Sequence, residues 1–306
     1  MSVLSIILTI SGLCLFEAVS SIDNAIINAG VLTGIGKAGR RWFLGWGIIF
    51  AVFVVRGLLP WIIVWGTTPQ LGFWGAFTAT LSGNAHALSA IEKSSPVLLI
   101  GGGVFLVFLF LSWLFLEKKN FALRLEEFFY ANGSWFYALV SVLLSVIVWL
   151  ALVKAPLMGF GAVAGSCAFF VTHGFKNSAE QLEKVLLNSS ASDISKLLYL
   201  EVIDATFSID GVLGAFAFTL SLPLILIGNG LGAIVVRQLT VGSIERVKKY
   251  IYLKNGAMYS VLFLGLFMIL KSFGMYIPEW ISPVVTLFVV GVFFMRSRKQ
   301  IQIRRE

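Results

Sequence analysis

The sequence predicts an all-α bundle of about nine membrane-spanning helices, and three observations carry that prediction. Hydrophobic residues make up 58% of the 306, and charged residues only 12%. Soluble domains are about a quarter charged, so this chain is built to dissolve in lipid. The apolar residues fall into runs of roughly 20, the length a helix needs to cross hydrocarbon. The basic residues collect in alternate loops between those runs.

The predicted spans are 8–34, 42–66, 96–116, 135–153, 156–174, 196–220, 222–242, 257–274 and 279–295. The Gly- and Ala-rich run 156–174 has the weakest apolar signal. Gly72–Leu88 is too broken to span and reads as an extracytoplasmic loop or a short re-entrant piece. The first run, interrupted by Glu17 and lacking a basic leader, reads as a helix rather than a secretory signal. Cys14 and Cys167 are the two cysteines, both in apolar runs, which excludes a disulfide framework or zinc motif.

Loop charge sets the orientation. Lys37, Arg40, Arg41, Lys118, Lys119, Arg124, Lys176, Lys184 and Lys196 fall in alternate loops, as do Arg246, Lys248, Lys249 and Lys254. With the five basic residues of the C-terminal tail these make 18 of the 23. The opposite loops hold Lys93, Lys154 and Lys271. The positive-inside rule then places the N-terminus outside and the C-terminus in the cytoplasm, in a plasma (inner) membrane. The net charge of +8 belongs to this pattern, and nucleic acid is not an expected partner.

Two segments repeat. Residues 17–24 read Glu-Ala-Val-Ser-Ser-Ile-Asp-Asn and residues 204–211 read Asp-Ala-Thr-Phe-Ser-Ile-Asp-Gly. The following span of each half also repeats, Val54-Val55-Arg56 against Val235-Val236-Arg237, with Gly47 and Gly228 nine residues before each arginine. Five spans separate the copies, so they run in opposite directions, the inverted-repeat plan of many secondary transporters. The chain is thus one membrane domain. One half covers about 1–116, inserted spans follow over 117–176, the second half covers 194–274, and a final span and basic tail cover 275–306.

Carboxylates inside hydrocarbon cost on the order of 2.5–3.5 kcal/mol each on insertion scales. Here Glu17, Asp23, Glu201, Asp204 and Asp210 lie within spans, against Arg56 and Arg237. All ionised, they leave three negative charges to be offset by a divalent cation or by protons. Asn24, Ser20, Ser21 and Ser208 add neutral oxygens. A nearly all-oxygen set suits manganese, calcium or magnesium, whereas zinc and copper favour imidazole and thiolate. Arg56 and Arg237 are expected to balance charge, and His173 is a candidate proton relay. Six residues along a helix turn the side chain by about 120°, so Glu17 and Asp23 cannot clasp one ion from an unbroken helix. Asn24 and Gly211 are the expected places for a break, and the alternative is successive stations. In the stations reading, Asp23 and Asp210 form a central site flanked by an outer Glu17 and an inner Asp204.

The segment from Phe16-Glu17 to Asp23-Asn24-Ala25 resembles the first signature of the TerC (tellurium-resistance) family of integral membrane proteins. Phe207-Ser208-Ile209-Asp210 resembles the second. The resemblance implies relatives that export manganese and a metal site made of Glu17, Asp23, Asn24, Asp204 and Asp210. It also implies no tightly bound cofactor, the divalent cation being the transported substrate. Gly211 stands where that family usually has Ser, and Ser-Ser-Ile stands where it has Leu-Ser. Two rival readings stand beside the transporter. An intramembrane aspartyl protease would need a Gly-x-Gly-Asp pattern, which is absent, so the chain is not expected to be an enzyme. A non-transporting scaffold or accessory subunit for metal or tellurite stress is the alternative function.

Overall fold

Lipid offers the backbone no hydrogen-bond partners, so apolar runs of this length satisfy their amides as helices. The computed structural model describes residues 3–50, 56–82, 85–187, 192–242 and 247–303, with no strand among them. The described helices are α1 (Val3–Ser20), α2 (Ile22–Thr33), α3 (Lys37–Ile49), α4 (Arg56–Thr67), α5 (Gly72–Ser82), α6 (Ala85–Leu116) and α7 (Arg124–Ala131). They continue as α8 (Phe136–Lys154), α9 (Pro156–Leu187), α10 (Asp193–Ala215), α11 (Leu222–Gly242), α12 (Leu253–Ser272) and α13 (Ile281–Ile303).

Among the described residues, six helices are long and apolar enough to cross a membrane: Val3–Ser20, Glu92–Leu116, Gly133–Lys154, Pro156–Lys176, Leu253–Ser272 and Ile281–Gln302. Five of these coincide with predicted spans. The predicted span 8–34 is divided between α1 and α2. The span 42–66 crosses α3 and α4, with residues 51–55 outside the described part. Spans 196–220 and 222–242 correspond to α10 and α11. Helix α10 carries Asp193, Lys196, Glu201, Asp204 and Asp210, and the apolar part of α11 is short, Leu222–Gln238. Gly72–Leu88, expected to be a loop or re-entrant piece, contains α5 and the start of α6.

Helix α6 is the hub. From Val97 on it is apolar on every side and largely buried, and it packs against α9, α12, α8 and α4. Phe105 and Phe108 meet Phe169 of α9 edge-on, at ring separations of 6.2 and 5.8 Å. Glycines let the backbones touch: Gly101 lies against Gly161 and Gly165, and Gly103 against Gly265 of α12. Pro96 sits inside α6 and cannot donate to the carbonyl of Glu92, but Ser95 Oγ donates to that carbonyl at 2.7 Å. At its other end, Lys119 Nζ donates to the Trp113 and Leu114 carbonyls at 2.5 and 2.7 Å, capping the last turn.

The faces of α8 and α9 turned away from the hub expose Val142, Trp149, Val153, Leu157 and Phe160. A continuous apolar face of that kind is suited to lipid chains rather than water. Helix α1 crosses α11 at Gly228 and Gly232, where a Cβ would overlap Leu13 and Glu17. The N-terminus of α10 is capped by Ser192, which accepts from the Ser195 amide at 3.3 Å. It is also tied to the α2–α3 turn. Asp193 Oδ2 accepts from the Gly36 amide at 3.0 Å, and Lys196 donates to the Gly34 carbonyl at 3.2 Å.

Candidate functional site

The rare charges of α1, α4, α10 and α11 meet in one buried cluster. Glu17 is fully enclosed, Arg56 is 2% exposed, Asp204 5% and Arg237 6%. Arg56 Nη2 lies 2.5 Å from Glu17 Oε1, and Arg56 Nη1 lies 3.7 Å from Asp204 Oδ2. Arg237 Nη2 lies 3.6 Å from Asp204 Oδ2 and 3.7 Å from Glu201 Oε1. Three carboxylates therefore share two guanidinium groups, and the cluster carries one negative charge when all five are ionised. Glu17 Oε2, Asp204 Oδ2 and both Glu201 oxygens are buried and accept no hydrogen bond from the described residues.

Sequence spacing explains why α10 supplies two of these acids. Glu201, Asp204, Ser208 and Gly211 stand three, four and three residues apart, which sets them along one helix face. That face meets α1, α4 and α11. Ser208 Oγ is turned inward and donates to its own helix, at the Asp204 carbonyl, 2.6 Å away. Asn24 Nδ2 donates to Asp204 Oδ1 at 2.6 Å, and Asn24 Oδ1 is buried without a donor among the described residues. Ser21 Oγ donates to Glu17 Oε1 at 2.9 Å, whereas Ser20 Oγ reaches only the Glu17 carbonyl at 3.3 Å. Arg237 also donates to the carbonyls of Phe43 and Gly47, and its guanidinium carbon lies 3.9 Å from the centre of the Phe43 ring.

The interruption between Glu17 and Asp23 falls at Ser21, not at Asn24. Ser21 has φ −89° and ψ 9°, and separates α1 from α2. Two hydrogen bonds bridge the gap, from the Ser21 amide to the Glu17 carbonyl (3.1 Å) and from the Ala25 amide to the Ser21 carbonyl (2.9 Å). Helix α10 runs unbroken through Gly211. The missing side chain there serves space instead, because a Cβ on Gly211 would overlap the Glu17 carboxylate. Glu17 and Asp204 do not stand apart as outer and inner stations, since both meet Arg56.

Asp210 does not join this cluster. Six residues beyond Asp204, it faces about 120° away, towards α9, where it pairs with Lys176. Asp210 and Lys176 line a cavity of about 780 Å³ that is also lined by Ser20, His173, Glu117 and Lys254. His173 lies one turn before Lys176, stacked on Phe169 with ring centres 5.5 Å apart, and its Nδ1 is 3.5 Å from Ser112 Oγ. Asp23 lies in α2, and its side chain is outside the described residues. Among the described residues no three His, Cys, Asp or Glu side chains stand close enough to hold one metal ion. Arginines occupy the space between the acids. The sequence places Lys176 in a loop, whereas it lies within α9 and pairs with Asp210. Its position one turn after His173, on a helix that continues to Leu187, was the available signal.

A family model described as "Protein of unknown function (DUF475)" matches residues 22–304. The chain belongs to that family. The match takes in every charged residue of the buried cluster except Glu17, and both members of the Asp210–Lys176 pair. No curated protein and no solved structure matches the chain.

Proposed function

We propose that the protein is a secondary transporter that moves a divalent metal cation across the bilayer. Manganese efflux is the favoured activity, and calcium or magnesium are alternative substrates. The observation that carries this reading is the surplus of buried carboxylate: Glu17, Glu201 and Asp204 outnumber Arg56 and Arg237, and among the described residues four of their oxygens accept no hydrogen bond. Each such group costs about 1–3 kcal/mol if it is left so permanently. A cluster that exchanges its arginines for a cation during a transport cycle gives those oxygens a use.

The pairing supports an inverted repeat. By the sequence repeat Glu17 corresponds to Asp204 and Arg56 to Arg237, and each arginine contacts the acid of its own half. Arg56 also reaches across to Asp204, so the two halves meet at that oxygen. Nine spans, with the N-terminus outside, are part of the same proposal. The likeness of the two acidic motifs to the TerC signatures supports it as well. Alternating access would rock the halves about this meeting point, with proton coupling through carboxylates released by the arginines.

A static cluster that only holds helices together, in a scaffold or accessory subunit, is the second reading. The short Arg56–Glu17 contact and the lack of three metal-binding side chains in reach of one ion, among the described residues, favour it. Manganese flux into proteoliposomes separates the two. Wild-type protein should carry the ion, and Glu201→Gln and Asp210→Asn should each reduce the flux by at least about tenfold, as loss of a charged ligand does. No flux above empty liposomes with folded wild-type protein would leave only the scaffold.

A further inference from the structure

The geometry points to Lys176 as a built-in competitor that occupies the cation's place at Asp210. This inference rests on the transport reading and adds a residue to it. Lys176 and Asp210 are only 13% and 14% exposed at their side chains, yet both line the cavity of about 780 Å³. The ammonium holds Oδ2 of the carboxylate, and Oδ1 is buried with no hydrogen bond from the described residues. The carboxylate therefore has one oxygen held by the ammonium and a second, enclosed, with no hydrogen bond among the described residues, beside a chamber with room for a hydrated ion.

A fixed structural ion pair and a competitor differ in what surrounds them. A fixed pair is stabilised by further hydrogen bonds to the remaining oxygen, because a buried charge with open acceptor sites is costly. Among the described residues, Asp210 Oδ1 has no such bond. Lysine is also the cation suited to yielding: its ammonium is a compact point charge on a four-carbon stem, without the two-pronged grip of a guanidinium. The buried acids differ in this respect. Glu17 and Asp204 are held by arginines in an enclosed cluster, whereas Asp210 is held by a lysine beside a cavity. An incoming divalent ion brings twice the charge of Lys176 to the same carboxylate, and both cannot sit on it at once. Lys176 thus keeps the site neutral when no ion is bound and sets the threshold concentration for loading.

The test uses the full-length protein in detergent with Mn²⁺ as the probe. Lys176→Gln should bind Mn²⁺ about tenfold more tightly than wild type, the effect of removing one competing charge at close range. Lys176→Arg should not bind more tightly, and Asp210→Asn should abolish the difference between Lys176 and Lys176→Gln. In wild type alone, acylation of Lys176 by an amine-reactive reagent, read by mass spectrometry, should rise when Mn²⁺ is added. Equal affinity of wild type and Lys176→Gln, or acylation unmoved by a bound ion, overturns the competitor while leaving transport standing. No Mn²⁺ binding by either protein overturns the transport reading and the competitor with it.

Discussion

Arg56 and Arg237 converge on a single oxygen: both guanidinium groups stand within 3.7 Å of Asp204 Oδ2. Like charges tolerate that closeness only while the carboxylate between them is ionised. Asp204 is therefore the acid on which the buried cluster depends most.

Asp204→Asn should destabilise the protein more than any other single acid-to-amide change in the cluster. Removing one member of a buried charge network costs about 3–5 kcal/mol because its partners stay charged. Glu201→Gln should cost much less, since Arg237 retains Asp204 and the Phe43 and Gly47 carbonyls. Thermal unfolding in one detergent checks the order, and a larger loss for Glu201→Gln would contradict it.

Gly47 tests the same cluster through space rather than charge. A Cβ there would overlap both the Arg237 guanidinium and the Glu201 carboxylate, whereas a Cβ on Gly45 meets nothing within 4 Å. Gly47→Ala should lower the melting temperature, by a loss of about 1–3 kcal/mol typical of overpacking. Gly45→Ala should be neutral or slightly stabilising. Equal effects of the two substitutions would argue that Arg237 is not fixed where described.

Arg237→Gln should move the pH dependence of metal binding upward, because a nearby cation favours ionised carboxylates and its removal makes them hold protons to higher pH. Mn²⁺ titrations across a pH series give the midpoint directly. A midpoint that stays put or falls would mean that Arg237 does not set the charge of the binding acids.

Thiol labelling tests the orientation. Ser20 lines the cavity beside Glu117 and Lys118, in a loop assigned to the cytoplasm, while Tyr276, 89% exposed, lies between α12 and α13 in a loop assigned to the outside. In a background without Cys14 and Cys167, Ser20→Cys should react with an impermeant reagent from the cytoplasmic side only. Tyr276→Cys should react from the outside only. Reaction of both from one side would overturn the nine-span topology.

Lys119 supplies a pH signature outside the membrane spans. Burial beneath Trp113 lowers its pKa from 10.5 to about 8, against the opposing pull of Glu117 and Glu126. A group with a depressed folded-state pKa favours the native state above its unfolded value, and that advantage is lost as pH falls through the folded value. Wild type should therefore gain stability relative to Lys119→Met as pH rises from about 8 to 10.5. Parallel melting curves at several pH values check this, and a constant difference would exclude it.

The helical character and five of the spans were legible because long apolar runs in lipid have one way to satisfy their backbones. The acids were legible because charge is rare there. Their partners were not. Glu17 and Asp204 share an arginine only because α1 and α10 cross near Gly211, and no periodicity in either helix encodes that crossing. Asp210 was grouped with its repeat neighbours, although its six-residue offset from Asp204 already turned it towards another helix. Lys176 was hidden for a different reason. A lysine near a helix end reads as a loop charge until the length of α9 is known. The break at Ser21 was missed because serine is tolerated within helices, while Asn24 and Gly211 looked like the better breakers.

The glycine contacts of α6 carry a mechanical implication. Where Gly101 touches Gly161 and Gly165, and Gly103 touches Gly265, the helices meet backbone to backbone, with no side chains that can switch rotamer to permit sliding. In the proposed transport cycle these three helices would act as the stator. The Ser21 joint, a single non-helical residue between α1 and α2 bridged by two amide hydrogen bonds, is where a moving part would bend against it.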